Sequence, residues 1–318
     1  MSSKVDLKNQ PIRITWYQSA VFILTIGIMA VSSASLFIRY AQQEMPSLVV
    51  AALRLGFASI LMTPWVLKKH PLDLSKINQS EWIKIIGAGF ILAVHFATWI
   101  SSFEYTSVAS SVVMVTTTPI WVALFSPIFL KENPGKMTII GLAVAIIGGV
   151  VVSLSNECSF TVGGVTCAFI RGDTPPTALL GNGLALIGAI CGAIYMIIGR
   201  VLRKSVDLTV YVYCIFSCAA IFLVLFAFLA GKAFYPYPLA AYAFCLALAI
   251  FPQIVGHTSL NWALAYLPVG FVAIVLLGEP VGSTILAAIF LKEIPSVVEI
   301  IGGVTILFGI FLASQKRE

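Results

Sequence analysis

With 59% of its 318 residues hydrophobic and only 10% charged, the chain lies far from soluble domains, which run roughly 45–50% apolar and 25% charged. A mean hydropathy of +1.01, carried by recurrent apolar runs of about 20 residues, marks a polytopic integral membrane protein without room for a separate soluble domain. The net charge of +6 comes from Lys and Arg scattered among short loops with no dense basic patch, so nucleic acid is not expected as a partner.

The first apolar run follows Lys4, Lys8 and Arg13 and lacks a small-residue cleavage site, so it is expected to stay as a helix. The pattern predicts ten spans, at 17–38, 47–67, 83–103, 107–130, 137–154, 179–199, 209–230, 239–261, 268–290 and 297–314. Pro46-Ser47, Asn133-Pro134-Gly135 and Pro295-Ser296 punctuate their boundaries. Of the nineteen Lys and Arg, fourteen fall on the side of the N-terminal tail and four on the other, which places both termini in the cytoplasm of a cell (inner or plasma) membrane protein. Arg54, inside the second span, is the remaining one.

The two halves repeat. Tyr105 to Pro134 lies without a gap on Tyr266 to Pro295, with Pro119 on Pro280 and FLKE at 129–132 on FLKE at 290–293. The register extends to Arg39 on Arg200, Gly141 on Gly302 and Gly148 on Gly309. Five spans per half is an odd number, so the halves must have opposite orientation, the inverted repeat of secondary transporters with a midplane site between them. The expected division is a cytoplasmic tail at 1–15, a first repeat at 16–154, an extracytoplasmic loop at 155–177 and a second repeat at 178–315. The fold class is thus all-α integral membrane, ten transmembrane helices in two inverted five-helix repeats.

Within the outer loop, CSFTVGGVTC has a short strand on each side of Gly163-Gly164 and predicts a hairpin. A two-residue Gly-Gly turn would set Cys158 and Cys167 diagonally, and a four-residue loop from Thr161 to Gly164 would set them opposite. A disulfide or two free thiols are both open outside the cytoplasm. Glycines at 141, 148, 302, 303 and 309 predict close helix packing, within the chain or in a homodimer.

The ninth span, from Val269, carries the costliest residues. A Glu at bilayer depth costs about 2.5–3.5 kcal/mol or more, and Glu279 is followed directly by Pro280. Proline frees the carbonyl four residues back, that of Leu276, and Pro119 and Pro280 together predict a break or pivot shared by both halves. Glu279 falls opposite Thr118 and has no twin, which singles it out for proton coupling or for holding a substrate ammonium. Gly282 and Ser283, one turn on, are expected to leave space beside it.

Arg54 lies about 10 Å into its span. It either holds an anionic substrate group or snorkels and caps carbonyls. In the third span His95, Thr98, Trp99 and Ser102 share one helical face, as do Gln253, His257 and Asn261 in the eighth. Two polar stripes at matching places suggest the walls of a wet cavity, although each His could instead make a structural hydrogen bond. Tyr195 and Tyr40 are expected to be interhelical hydrogen-bonders or interfacial. Glu132 and Glu293, each just before a proline, are expected to settle helix N-termini.

AALR at 51–54, HFATWISSFEYTSVASSVV from His95, GHTSLNWALAY at 256–266, GEPVGSTILAAIFLKE from Gly278 and the doubled FLKE resemble the EamA-type members of the drug/metabolite transporter superfamily over essentially the whole length. The resemblance implies two inverted five-helix repeats around a central cavity, alternating access, and movement, usually export, of small metabolites such as amino acids. Ser32-Ser33-Ala34-Ser35 departs from the Trp-Gly-Ser-type motif many members carry there, so roles in the first helix are not carried over.

The expected function is a secondary active transporter, most simply an exporter, with a small-molecule substrate, protons and the lipid bilayer as partners. No nucleotide-binding loop or metal cluster is in the sequence, and no cofactor is expected. A channel or non-transporting scaffold is the alternative. A membrane-embedded enzyme is not expected, because His95 and His257 are predicted in opposite leaflets and no paired Asp lies within a span.

Overall fold

The structure is a computed structural model that describes residues 12–106, 108–161, 164–167, 177–286, 289 and 297–315. Among them, six helices are long and apolar enough to cross a membrane and four shorter apolar segments complete ten spans. The second is Ser47–Lys69, the third Gln79–Ser102, the fifth Lys136–Glu157, the sixth Ala178–Leu202, the seventh Leu208–Leu229 and the tenth Val297–Ser314. The other four are interrupted. The first runs Ile12–Ser32 and resumes as Ala34–Gln42, and the fourth is Val108–Val115 followed by Thr118–Leu130. The eighth is Leu239–Leu248, a π-helix Ala249–His257 and Thr258–Leu264. The ninth is Val269–Val275, a 3-10 turn Leu276–Gly278 and Glu279–Leu286.

Short connections start helices cleanly. Asn78 and Glu81 form a reciprocal capping box at the third span, and the Asp207 carboxylate accepts from Thr209 and Val210 N–H groups at the seventh. The halves interdigitate. The third span packs on the sixth as the eighth packs on the first, and the fourth packs on the sixth as the ninth packs on the first. Second meets seventh and fifth meets tenth. Every one of these pairs joins one half to the other, the pattern that a two-fold in the membrane plane generates. A site at the interface is therefore built from both halves.

The small-residue faces lie inside the chain. Gly141 sits against the backbone of Gly309, and Gly148 against Gly302 and Ile306, so the fifth and tenth helices touch backbone to backbone. A Cβ on Gly148 would come within 2.7 Å of the Ile306 nitrogen and 2.8 Å of the Gly302 oxygen. Gly148→Val is expected to destabilise the protein by about 1–3 kcal/mol, read as a lowered thermal unfolding midpoint in detergent micelles.

The prolines break the fourth and ninth spans where expected, and each break has its own repair. Leu276, whose carbonyl Pro280 frees, accepts the Glu279 N–H in the 3-10 turn. In the first half the corresponding carbonyl is that of Val115, and it accepts the Thr118 hydroxyl at 2.8 Å. The π-helix of the eighth span, around Pro252, was not anticipated from periodicity.

On the loop between the halves, strands Cys158–Thr161 and Gly164–Cys167 form the expected hairpin. Gly164 belongs to the second strand and pairs with Thr161, which sets Cys158 directly opposite Cys167. Their side chains, like the second FLKE at 290–293, lie outside the described residues.

Candidate functional site

Inside the bundle lies a cavity of about 840 Å³, its open mouth included, walled by the first, second, third, fourth, sixth, eighth and ninth spans. Its lining is mainly apolar with a few polar groups, the usual character of a small-molecule site. Arg54, His95, Trp99, Pro119, His257, Asn261 and Glu279 all line it. Residues scattered over 226 positions of sequence thus meet in one space, as the stripes and the lone acid suggested.

Arg54 is held, not snorkelling. It is 0% exposed, its Nε donates to Gln253 Oε1 at 2.8 Å, and its guanidinium carbon lies 4.2 Å above the centre of the Phe96 ring. The Phe96 face is electron-rich and favours a cation there. Both terminal nitrogens of the guanidinium lack a protein acceptor, as do the Trp99 Nε1 and Gln253 Nε2 groups. A buried charge with unused donors is costly. That fork is shaped for a carboxylate or phosphate. Gln253 itself does not line the cavity; it accepts from the arginine behind the wall.

Glu279 enters the cavity from the ninth span, half-buried. Among the described residues its carboxylate makes no ion pair, with Arg54 or any other cation, so two opposite charges face one space without closing on each other. The space beside it is not empty, contrary to the expectation for Gly282 and Ser283. Ser32 of the first span fills it, so close that a Cβ on Gly282 would collide with the Ser32 hydroxyl. Ser32 Oγ donates to the Glu279 carbonyl at 3.0 Å, and Ser283 Oγ donates to the Ser32 carbonyl at 2.9 Å. Glycine serves here to let two helices cross. Ser32 does not line the cavity but packs behind Glu279, a contact the sequence did not nominate because it spans 247 positions.

The asymmetry between halves has a structural counterpart. Thr118 spends its hydroxyl on the Val115 and Ala189 carbonyls, at 2.8 and 3.3 Å. Glu279, its partner in the repeat, leaves carbonyl repair to the backbone and turns its side chain to the cavity.

The histidines are corrected in position. They were expected in opposite leaflets, yet both pack against Phe96, with ring centroids 4.8 Å away for His95 and 5.4 Å for His257. His95 donates from Nδ1 to the Gly188 carbonyl at 2.7 Å. Asn261 lines the wall with its amide already engaged. It exchanges hydrogen bonds with Tyr195 OH at 2.9 and 2.7 Å and donates to the His257 carbonyl at 2.8 Å. Tyr195 is the interhelical hydrogen-bonder expected. Thr98 and Ser102 lie off the cavity and return their hydroxyls to their own helix, at Val94 and Trp99.

A ten-span bundle of two inverted halves around a mixed polar cavity defines a multi-pass membrane transporter with a small-molecule substrate. The chain belongs to the EamA-like transporter family, whose model matches residues 18–154 and 179–315. It is 26% identical to an uncharacterized transporter of Archaeoglobus fulgidus, over 93% of this chain and 97% of that protein. It is 23% identical to the uncharacterized transporter YetK of Bacillus subtilis, over 95% and 88% respectively. A shorter match, 30% identical over 112 residues, covers 35% of this chain and 28% of the chloroplastic phosphoenolpyruvate/phosphate translocator 3 of Oryza sativa subsp. japonica. A solved crystal structure of a protein 19% identical shares the fold, with a TM-score of 0.74 over 93% of this chain and 96% of that one.

Proposed function

We propose that the protein is a proton-coupled secondary transporter that exports small metabolites, amino acids or related compounds, by alternating access, with both termini on the cytoplasmic side of the cell membrane. One observation carries this reading: Arg54 and Glu279, from different halves, face a shared cavity without an ion pair between them. A molecule bearing an anionic group and an ammonium would complete both, the first on the arginine fork and the second on the carboxylate. The rice relative is named for the anions phosphoenolpyruvate and phosphate, which agrees with an anionic group at Arg54. The repeats, 16–154 and 178–315, are the bodies that move, and Pro119 and Pro280 mark their pivots.

The test is counterflow in proteoliposomes loaded with a panel of unlabelled amino acids. Uphill exchange of a labelled one is expected of a carrier, whereas a pore gives only downhill equilibration. The opposed register of Cys158 and Cys167 further supports a bridge between them on the outer side. Without reductant, a gel-shift thiol reagent is expected to leave both unlabelled; labelling of the pair removes the bridge.

A further inference from the structure

Away from the cavity, at the ends of four spans on the face that carries both chain termini, a compact ion-pair cluster joins the halves. Arg200, at the end of the sixth span, donates from Nε to Glu132 Oε1 at 2.8 Å and from NH1 to the Leu264 carbonyl at 2.7 Å. The other oxygen of Glu132 accepts the Val269 N–H at 3.3 Å, at the first turn of the ninth span. The side chains are 14% and 25% exposed, so water screens the pair little. Glu132 reaches this place because Lys131 adopts a left-handed backbone, φ 56°, which ends the fourth span and turns the chain back. That conformation is unfavourable for a side chain larger than glycine and persists only where its surroundings hold it.

The expectation that Glu132 settles a helix N-terminus holds, but the helix is the ninth and not the one that follows it in sequence. This choice links the parts that would have to move. The fourth and ninth spans are the two broken at the repeat-related prolines, Pro119 and Pro280, and the cluster ties the end of one to the start of the other. Leu264, whose carbonyl is held by Arg200, also lines the cavity.

We propose that Arg200, Glu132 and the Val269 amide form a latch that keeps the cavity shut toward the face of the chain termini, and that its release opens the cavity to that face. The proposal rests on the alternating-access reading. Its opening is reciprocal: when the latched face opens, the opposite face closes.

Hydrogen–deuterium exchange on the full chain in lipid nanodiscs tests it, comparing the native protein with Glu132→Gln, Arg200→Gln and the double variant. Gln at 132 keeps an acceptor for the Val269 N–H and removes only the ion pair. Amides around 200–206 and 264–272 are expected to exchange about tenfold faster, the change one lost charge-assisted pair produces. Amides around 40–47 and 103–106, on the opposite face, are expected to slow. The double variant should match Arg200→Gln, because that change already removes the ion pair that Glu132→Gln removes and the Leu264 carbonyl contact besides. Unchanged exchange, or faster exchange on both faces, overturns the latch; the second marks simple loosening. No substrate is needed, so a reciprocal shift without counterflow would sink the transport reading and leave the latch standing.

Discussion

Arg54→Gln is expected to lower counterflow by about 100-fold or more while the protein still inserts and folds. The estimate follows from losing a charge-assisted, two-pronged contact inside a mainly apolar site, about 2–5 kcal/mol. Arg54→Lys is expected to recover little of it. A lysine keeps the charge but offers neither the Nε donor that Gln253 holds nor the planar fork above Phe96. Initial rates against substrate concentration in proteoliposomes check this, with the loss appearing as weaker binding. Retention of native affinity in Arg54→Gln would show that the guanidinium serves only the packing of the second, third and eighth spans. Gln253→Leu supplies an internal comparison, since it leaves the charge and removes what orients it; a smaller loss, about tenfold, is expected.

Glu279→Gln separates the two roles available to the single acid. Gln preserves size and hydrogen bonding but cannot release a proton. Where Glu279 carries protons, exchange of substrate for substrate survives, because it needs no net proton movement, while accumulation driven by a pH gradient is lost. Where Glu279 holds a substrate ammonium, exchange falls as well, by roughly 10–100-fold for one lost charge-assisted contact. Counterflow and pH-jump accumulation, measured side by side, tell them apart. If neither the pH dependence nor the affinity changes, the carboxylate has neither role. Thr118→Glu is an informative companion, since it would place an acid at the equivalent position of the first half and take away the hydroxyl that repairs the Val115 carbonyl.

How much of the site was legible depended on the kind of signal. Arg54 and Glu279 stood out because charge at bilayer depth is expensive, a cost that is visible in any linear sequence. The stripes around His95 and His257 were visible as helical periodicity. Within them, the periodicity could not tell Trp99, which faces the cavity, from Thr98 and Ser102, which bond back to their own helix. Nor could it tell that Asn261 is engaged by Tyr195, or that Gln253 lies behind Arg54 as its orienting partner. Ser32 drew notice only as part of Ser32-Ser33-Ala34-Ser35, a departure from the family motif that says nothing of which distant residue it meets. The expected space beside Glu279 was wrong for the same reason: a glycine opens room, and only the fold says which neighbour takes it.

The repeat behaved differently. Ten spans, two halves and breaks at Pro119 and Pro280 follow from composition, an odd span count and the chemistry of proline, all local or additive along the chain. The sequence by itself determined that the protein is a duplicated membrane bundle with one unmatched acid. Which helix meets which was decided only by tertiary packing. The inverted halves interdigitate, bringing Glu132 to the ninth span and His257 to Phe96 beside His95. These contacts depend on crossing geometry between distant segments, where a shift of one helical turn would bring different residues together. In that frame an acid at the centre of a broken helix becomes one wall of a cavity whose opposite charge comes from the other half.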